Sequence, residues 1–188
     1  MSATFHTQAA SLSPLQGARI AVLGYASQGR AQALNLRDSG ADVRVGLRPG
    51  GAGWARALED GWDPLRLEEA VQWADLVAVL LPDMAHREVF LQSVQPHLRP
   101  GSMLLFAHGF SVHYGMVRPG EGYDVALVAP KSPGDLVRRE WSRGNGVPCL
   151  VAVHADASGR AWDLAKSYAR GIGGERAGLV ETTFAEET

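Results

Sequence analysis

A single cysteine in 188 residues excludes an internal disulfide framework. Cys149 lies in the apolar run Val147 to Val153, which favours a buried structural thiol over a nucleophile. Neither sign of charge is in excess. The 18 Lys and Arg against 20 Asp and Glu leave a formal net charge of −2, which gives no reason to expect nucleic acid or an anionic membrane as partner. No apolar run approaches the roughly 20 residues that span a bilayer. The N-terminal stretch MSATFHTQAASLSPLQG lacks the basic and apolar regions of a secretory signal. There is no internal repeat, no metal-type Cys/His cluster and no Ser-His-Asp signature. These absences point to a cytoplasmic globular protein with no membrane partner. With 46% hydrophobic residues, it has enough apolar material for one core. Residues 1–16 read as a flexible N-terminal arm, and residues 17–188 as a single domain.

The stretch ARIAVLGYASQGRAQALNLRDSG organises that domain. Ile20 to Leu23 is a short apolar run of the kind used by buried parallel strands. Gly24 ends it, and a helical run then continues to a C-cap signal at Ser39-Gly40. Strand, glycine turn and helix form the first half of a dinucleotide-binding βαβ unit. The turn Gly24-Tyr25-Ala26-Ser27-Gln28-Gly29 is one residue away from G-x-G-x-x-G. Gly24 permits the sharp turn, and Gly29 permits close helix–sheet packing. The helix start directs free N–H groups and a positive dipole end at a pyrophosphate. Ala26 occupies the position of closest backbone approach to the phosphates. Taken alone, the turn also reads as an ordinary glycine-rich βα connection.

The remaining chain alternates strands and helices, which predicts an α/β, Rossmann-like, doubly wound and mostly parallel sheet with helices on both faces. Asp42 to Leu47 is the second strand. At its end a dinucleotide site discriminates between cofactors, and NAD-binding proteins usually place an acid there. Here Gly46-Leu47-Arg48 stands instead, and a planar cation suits a 2′-phosphate. The other reading of Arg48 is a solvated surface arginine. Leu67 to Ala74 is helical, and Leu76 to Leu81 is a central strand ended by Pro82-Asp83. Asp83, Met84, Ala85 and His86 therefore become candidates to touch the adenine side of the cofactor. Asp83 reads equally as a helix N-cap and His86 as an exposed helix residue. Ser102 to Ala107 ends at His108, and Tyr123 to Ala129 ends at Pro130-Lys131. Both strand tips belong to the same sheet edge, where His108 and Lys131 together suit proton donation or electrostatic stabilisation at a substrate oxygen.

These motifs together resemble ketol-acid reductoisomerase, specifically its N-terminal NADP-binding domain, from about Gly17 onward. The matching stretches are GYASQGRAQALNLRDSG, VRVGLRPG, LLPD, FAHGF, VAPKSPG, GVPCLVAVH and YARGIGGERAGLVETTFAEET. The resemblance implies NADPH- and magnesium-dependent isomeroreduction of 2-acetolactate to 2,3-dihydroxyisovalerate, in branched-chain amino-acid biosynthesis. It implies cofactor contacts at Tyr25 to Gln28, Arg48, Asp83 to His86 and Gly134. It implies active-site roles for His108 and Lys131, and a 2-hydroxy-2-keto acid as substrate.

The sequence departs from the family pattern in four places. Its fingerprint GYGSQGHA appears with Ala26 and Arg30. The serines that follow Arg-Pro-Gly in the family are replaced, so that Gly51 and Gly53 offer only backbone N–H groups. Losing hydrogen bonds to a charged phosphate costs about 1.5–3 kcal/mol each, which predicts weaker or less selective NADP(H) binding. Asp135 brings a carboxylate close to an anionic cofactor. The family's magnesium carboxylates lie in a helical domain just beyond Thr188, and Glu186 and Glu187 are not those ligands. The expectation is that magnesium binds only where such a domain is supplied, and that this chain alone does not run the reaction. A homo-oligomer or a separate helical domain would be its partner. Two rival readings are a stand-alone nucleotide-binding paralogue acting as sensor or interaction module, and another small NADP-dependent reductase completed by a dimer partner.

Overall fold

The computed structural model describes residues 12–188 and the backbone of Phe5 and His6. The strands are β1 (Phe5–His6), β2 (Arg19–Leu23), β3 (Asp42–Leu47), β4 (Leu65–Arg66), β5 (Leu76–Val79), β6 (Met103–Phe106), β7 (Asp124–Pro130), β8 (Cys149–Ala155) and β9 (Leu179–Glu181). They form one sheet in the order β1-β9-β8-β7-β6-β5-β2-β3-β4. Only β7–β8 and β1–β9 pair antiparallel. The stretch β4-β3-β2-β5-β6-β7 has the strand order of the dinucleotide-binding doubly wound sheet. Its order reverses between β2 and β5, where the ligand crevice opens beyond the carboxyl ends of the strands. The register there is fixed by Ile20 opposite Leu76 and Leu23 opposite Val79.

The helices are α1 (Ser27–Asp38), α2 (Ala52–Glu59), α3 (Leu67–Trp73), α4 (Asp83–Val89), α5 (Phe110–His113), α6 (Gly134–Ser142), α7 (Ala161–Gly171) and α8 (Phe184–Glu187). The two-residue alternation of each strand divides the core into two layers. Ile20 and Val22 face a cluster containing Leu36 of α1 and Tyr168 and Ile172 at α7. Ala21 and Leu23 face the opposite cluster, with Leu67, Ala70 and Val71 of α3 and Val89 of α4. Buried Asn35 joins the helices of the first layer, donating to the carbonyls of Val137 and Ile172. Cys149 is buried in that layer, and burial pushes its thiol up to about 12. It is a structural thiol.

The boundary of the expected arm shifts. The expectation for residues 1–11 lies outside the described residues, apart from the β1 backbone. Ser13–Leu15 form a short 3-10 turn, and Leu15 is buried in the core beside Leu36 and α7. Residues 13–15 therefore belong to the folded domain, because Leu15 closes the core beneath Gly171. Helix α4 is regular to Val89 and then passes through one π turn and a 3-10 turn around Pro96. Among the described residues, no helix is long and apolar enough to cross a membrane.

Candidate functional site

The turn after β2 is dictated by close approach. Gly24 has φ +99°, and a Cβ there would lie 2.6 Å from the Leu80 carbonyl oxygen. A Cβ on Gly29 would lie 2.2 Å from the Gly24 carbonyl oxygen. Ala26, the N-cap of α1, has φ −81° with extended ψ, so its methyl imposes no backbone strain. The departure at this position is thus one of occupied space at the cleft wall, not of conformation.

Each neighbour in the turn has protein partners. Tyr25 is buried; its hydroxyl donates to Asp60 Oδ2 at 2.9 Å and accepts from Trp62 Nε1 at 2.6 Å. Burial first, and then Asp60, raise the Tyr25 phenol above its ordinary range, so it remains a donor. Ser27 Oγ accepts from the Gly134 N–H at 3.0 Å and donates to Asp135 Oδ1 at 3.1 Å. Gln28 Nε2 donates to the Ser132 carbonyl at 2.8 Å. The turn is thereby fastened to the start of α6, and Asp135 does stand at the turn.

A cleft of about 390 Å³ opens between this turn, the β3–α2 loop and the end of β5. Gly24, Tyr25 and Ala26 line one wall, Leu47, Arg48, Gly51 and Gly53 a second, and Leu80, Leu81, Pro82 and Ala85 a third. The leucines, Pro82 and Ala85 provide an apolar slot suited to a flat aromatic base. The first N–H groups of α2 have no intrahelical acceptor. Arg48 is 66% exposed at the mouth, with Nη2 4.0 Å from Glu88 Oε1. Gly134 lies outside this cleft, against Ser27.

The segment Asp83 to His86 divides. Only Ala85 lines the cleft. Asp83 is the first residue of α4, whose cap is Pro82, so the N-cap alternative does not hold. Met84 is 85% exposed. His86 is not an exposed helix residue; it is buried. Its Nε2–H donates to the Leu81 carbonyl at 2.8 Å, and Nδ1 accepts from Ser111 Oγ at 2.8 Å. Burial lowers its pKa, consistent with the neutral ring that these contacts require. The first turn of α4 rotates His86 towards α5, an orientation that depends on where the helix docks.

The sheet edge does bring His108 and Lys131 together, through a carboxylate that sequence reasoning overlooked. Glu187 Oε2 accepts from His108 Nδ1 at 2.6 Å and from the Gly109 N–H at 2.6 Å; Oε1 accepts from Lys131 Nζ at 2.7 Å. Burial raises the Glu187 pKa, but the bonds from Lys131, His108 and Gly109 outweigh it and hold the carboxyl below the usual range. The carboxylate keeps a proton on His108 Nδ1 and leaves Nε2 outward. Helix α8 is capped by Thr183, which accepts from the Glu186 N–H at 3.1 Å, and it is held by buried Phe184. A Cβ on Gly109 would lie 2.2 Å from the Phe184 carbonyl oxygen, so α8 can rest only on a glycine there. The available signal was the glycine after His108 paired with a capped acidic turn at residues 183–187.

Strand order, glycine turn and cleft define a dinucleotide-binding domain of the Rossmann class. The chain belongs to the acetohydroxy acid isomeroreductase family: residues 14–178 match its NADPH-binding domain. The ketol-acid reductoisomerase (NADP(+)) of Pyrobaculum neutrophilum is 53% identical over 188 residues, all of this chain and 58% of that protein. The protein of the same name from Beutenbergia cavernae is 52% identical, covering all of this chain and 55% of its own length. A solved structure of an NADH-preferring ketol-acid reductoisomerase from an uncultured archean superposes with a TM-score of 0.95. It is 37% identical, covering all of this chain and 58% of that one. The chain thus spans somewhat over half the length of these relatives.

Proposed function

We propose that the chain binds NADP(H) in the Gly24–Arg48–Leu80 cleft and serves ketol-acid reductoisomerase chemistry, the NADPH-dependent isomeroreduction of 2-acetolactate-type acids in branched-chain amino-acid biosynthesis. The observation that carries the reading is the cleft at the β2/β5 reversal, walled by a turn whose two glycines are sterically required. In this reading the α1 start faces the pyrophosphate, the leucine slot takes the adenine, and Arg48 with the first turn of α2 takes the 2′-phosphate. Bound nicotinamide supplies the hydride. His108 and Lys131, fixed by Glu187, orient the substrate oxygen and hold a proton near it.

Magnesium belongs to the same reading by resemblance alone. Among the described residues no group of three or more His, Cys, Asp or Glu is placed to hold a metal ion. Glu187 is already engaged by Lys131 and His108, so no step is assigned to a metal held by this chain.

A second reading, NADH in the same cleft, is favoured by the loop after Arg48, which offers no side-chain hydroxyl. Titration calorimetry of the 188-residue chain with NADPH and NADH decides between them. Tighter NADPH binding that is lost in Arg48→Ala supports the first; equal affinities, unchanged in Arg48→Ala, favour the second. Binding of neither would return the chain to a structural or interaction role.

A further inference from the structure

Helix α2 carries the loop that faces the 2′-phosphate position, yet its two ends are held very differently. At the N-terminus no side chain caps it, and Gly51 and Gly53 offer only backbone N–H groups. At the C-cap, Asp60 takes a two-pronged ion pair from Arg30 of α1, with Nε at 2.6 Å and Nη2 at 2.8 Å. The same carboxylate receives the Tyr25 hydroxyl. Arg37 Nη1 donates to the Asp60 carbonyl at 3.0 Å, and the Arg37 guanidinium lies 4.6 Å from the centre of the Trp62 ring. Cations at a helix C-terminus also complement its dipole. Mutual pairing is consistent with the Arg30 pKa being raised and that of Asp60 lowered.

Tyr25 makes these contacts relevant to the cleft. Its hydroxyl is held at Asp60 and Trp62, and its Cβ is where a side chain on Gly53 would press, at 3.4 Å. One buried side chain thus reaches from the C-cap of α2, at its hydroxyl, to the first turn, at its Cβ, and its backbone belongs to the β2–α1 turn.

We propose that Arg30 and Asp60 are positioning residues for cofactor discrimination. Their ion pair, acting through Tyr25, sets the direction of α2 and so the placement of Arg48 and the α2 N-terminus against a 2′-phosphate. The clamp holds the far end of α2, whose near end has no side-chain cap. This inference rests on the NADP(H) reading.

The test is calorimetric titration of the full chain, wild type, Arg30→Gln, Asp60→Asn and Arg30→Lys, with NADPH, NADH, 2′,5′-ADP and 5′-ADP. Both neutral variants are expected to bind NADPH and 2′,5′-ADP about tenfold more weakly, the scale of one charge-assisted hydrogen bond. NADH and 5′-ADP should change less than about twofold on the same scale, and Arg30→Lys, which keeps the charge but not the fork, should recover only part of the preference. A uniform loss for all four ligands, or no change for any, overturns the clamp while leaving the NADP(H) reading intact. Equal NADPH and NADH affinities in the wild type overturn the NADP(H) reading, and the clamp with it. Two neutral variants at different positions guard against a folding failure in either one.

Discussion

A Cβ on Gly134 would lie 2.1 Å from the carbonyl oxygen of Ser27. The start of α6 and the β2–α1 turn therefore touch backbone to backbone, although 107 residues separate them in the chain. The contact is completed by the Gly134 N–H on Ser27 Oγ. Gly134→Ala must push the two elements apart, because a carbonyl oxygen cannot yield as a flexible side chain can. Overpacking of this kind costs about 1–3 kcal/mol. A lower Tm, with weakened nucleotide binding in the protein that remains folded, is the expected result. An alanine variant with wild-type Tm and affinity would show that the approach is looser than described.

Glu187 couples the His108–Lys131 pair to pH. Its pKa is depressed in the folded state, so the stabilisation is fully present above the ordinary carboxylate range. It is lost as pH falls through the folded value, when Oε1 and Oε2 take up a proton. NMR titration of the Glu187 carboxyl and Gly109 amide signals should show a transition below the usual glutamate range. In Glu187→Gln that transition should vanish and α8 should exchange amide protons faster. A transition at or above the ordinary range would contradict the net effect of Lys131 and His108.

Ala26 takes a conformation open to any residue, so replacing it alters space and not strain. Ala26→Gly is expected to tighten nucleotide binding several-fold, with stability unchanged or slightly raised, since glycine is a better N-cap than alanine. Affinity and Tm report the two effects separately. Unchanged or weaker binding would mean that the turn had already shifted to admit the methyl.

The alternation of short apolar runs with amphipathic segments was enough to place β2, β3, β5, β6 and β7 with helices α1 and α3, but not the short α5 between β6 and β7. Those elements follow from local patterning, and the doubly wound topology follows from their order. The identity of the glycines at 24 and 29 was also legible, because a turn with no room for a side chain needs glycine wherever it occurs. His86 and Glu187 were not legible. A lone histidine in a helix has the same local signal whether it is exposed or turned towards Ser111, and only docking of α4 on the sheet decides. Glu187 reaches His108 and Lys131 across 79 and 56 residues, through a glycine whose role appears only when α8 packs on it. Likewise the sequence places charged Arg30 directly after the turn and Asp60 thirty residues further on, but does not show that they meet. Local propensity and periodicity act over a few residues and so set the fold class, the glycine turn and the sheet edge. The pairing of charges across long loops depends on how α1, α2, α6 and α8 pack, and that was decided only in the tertiary structure.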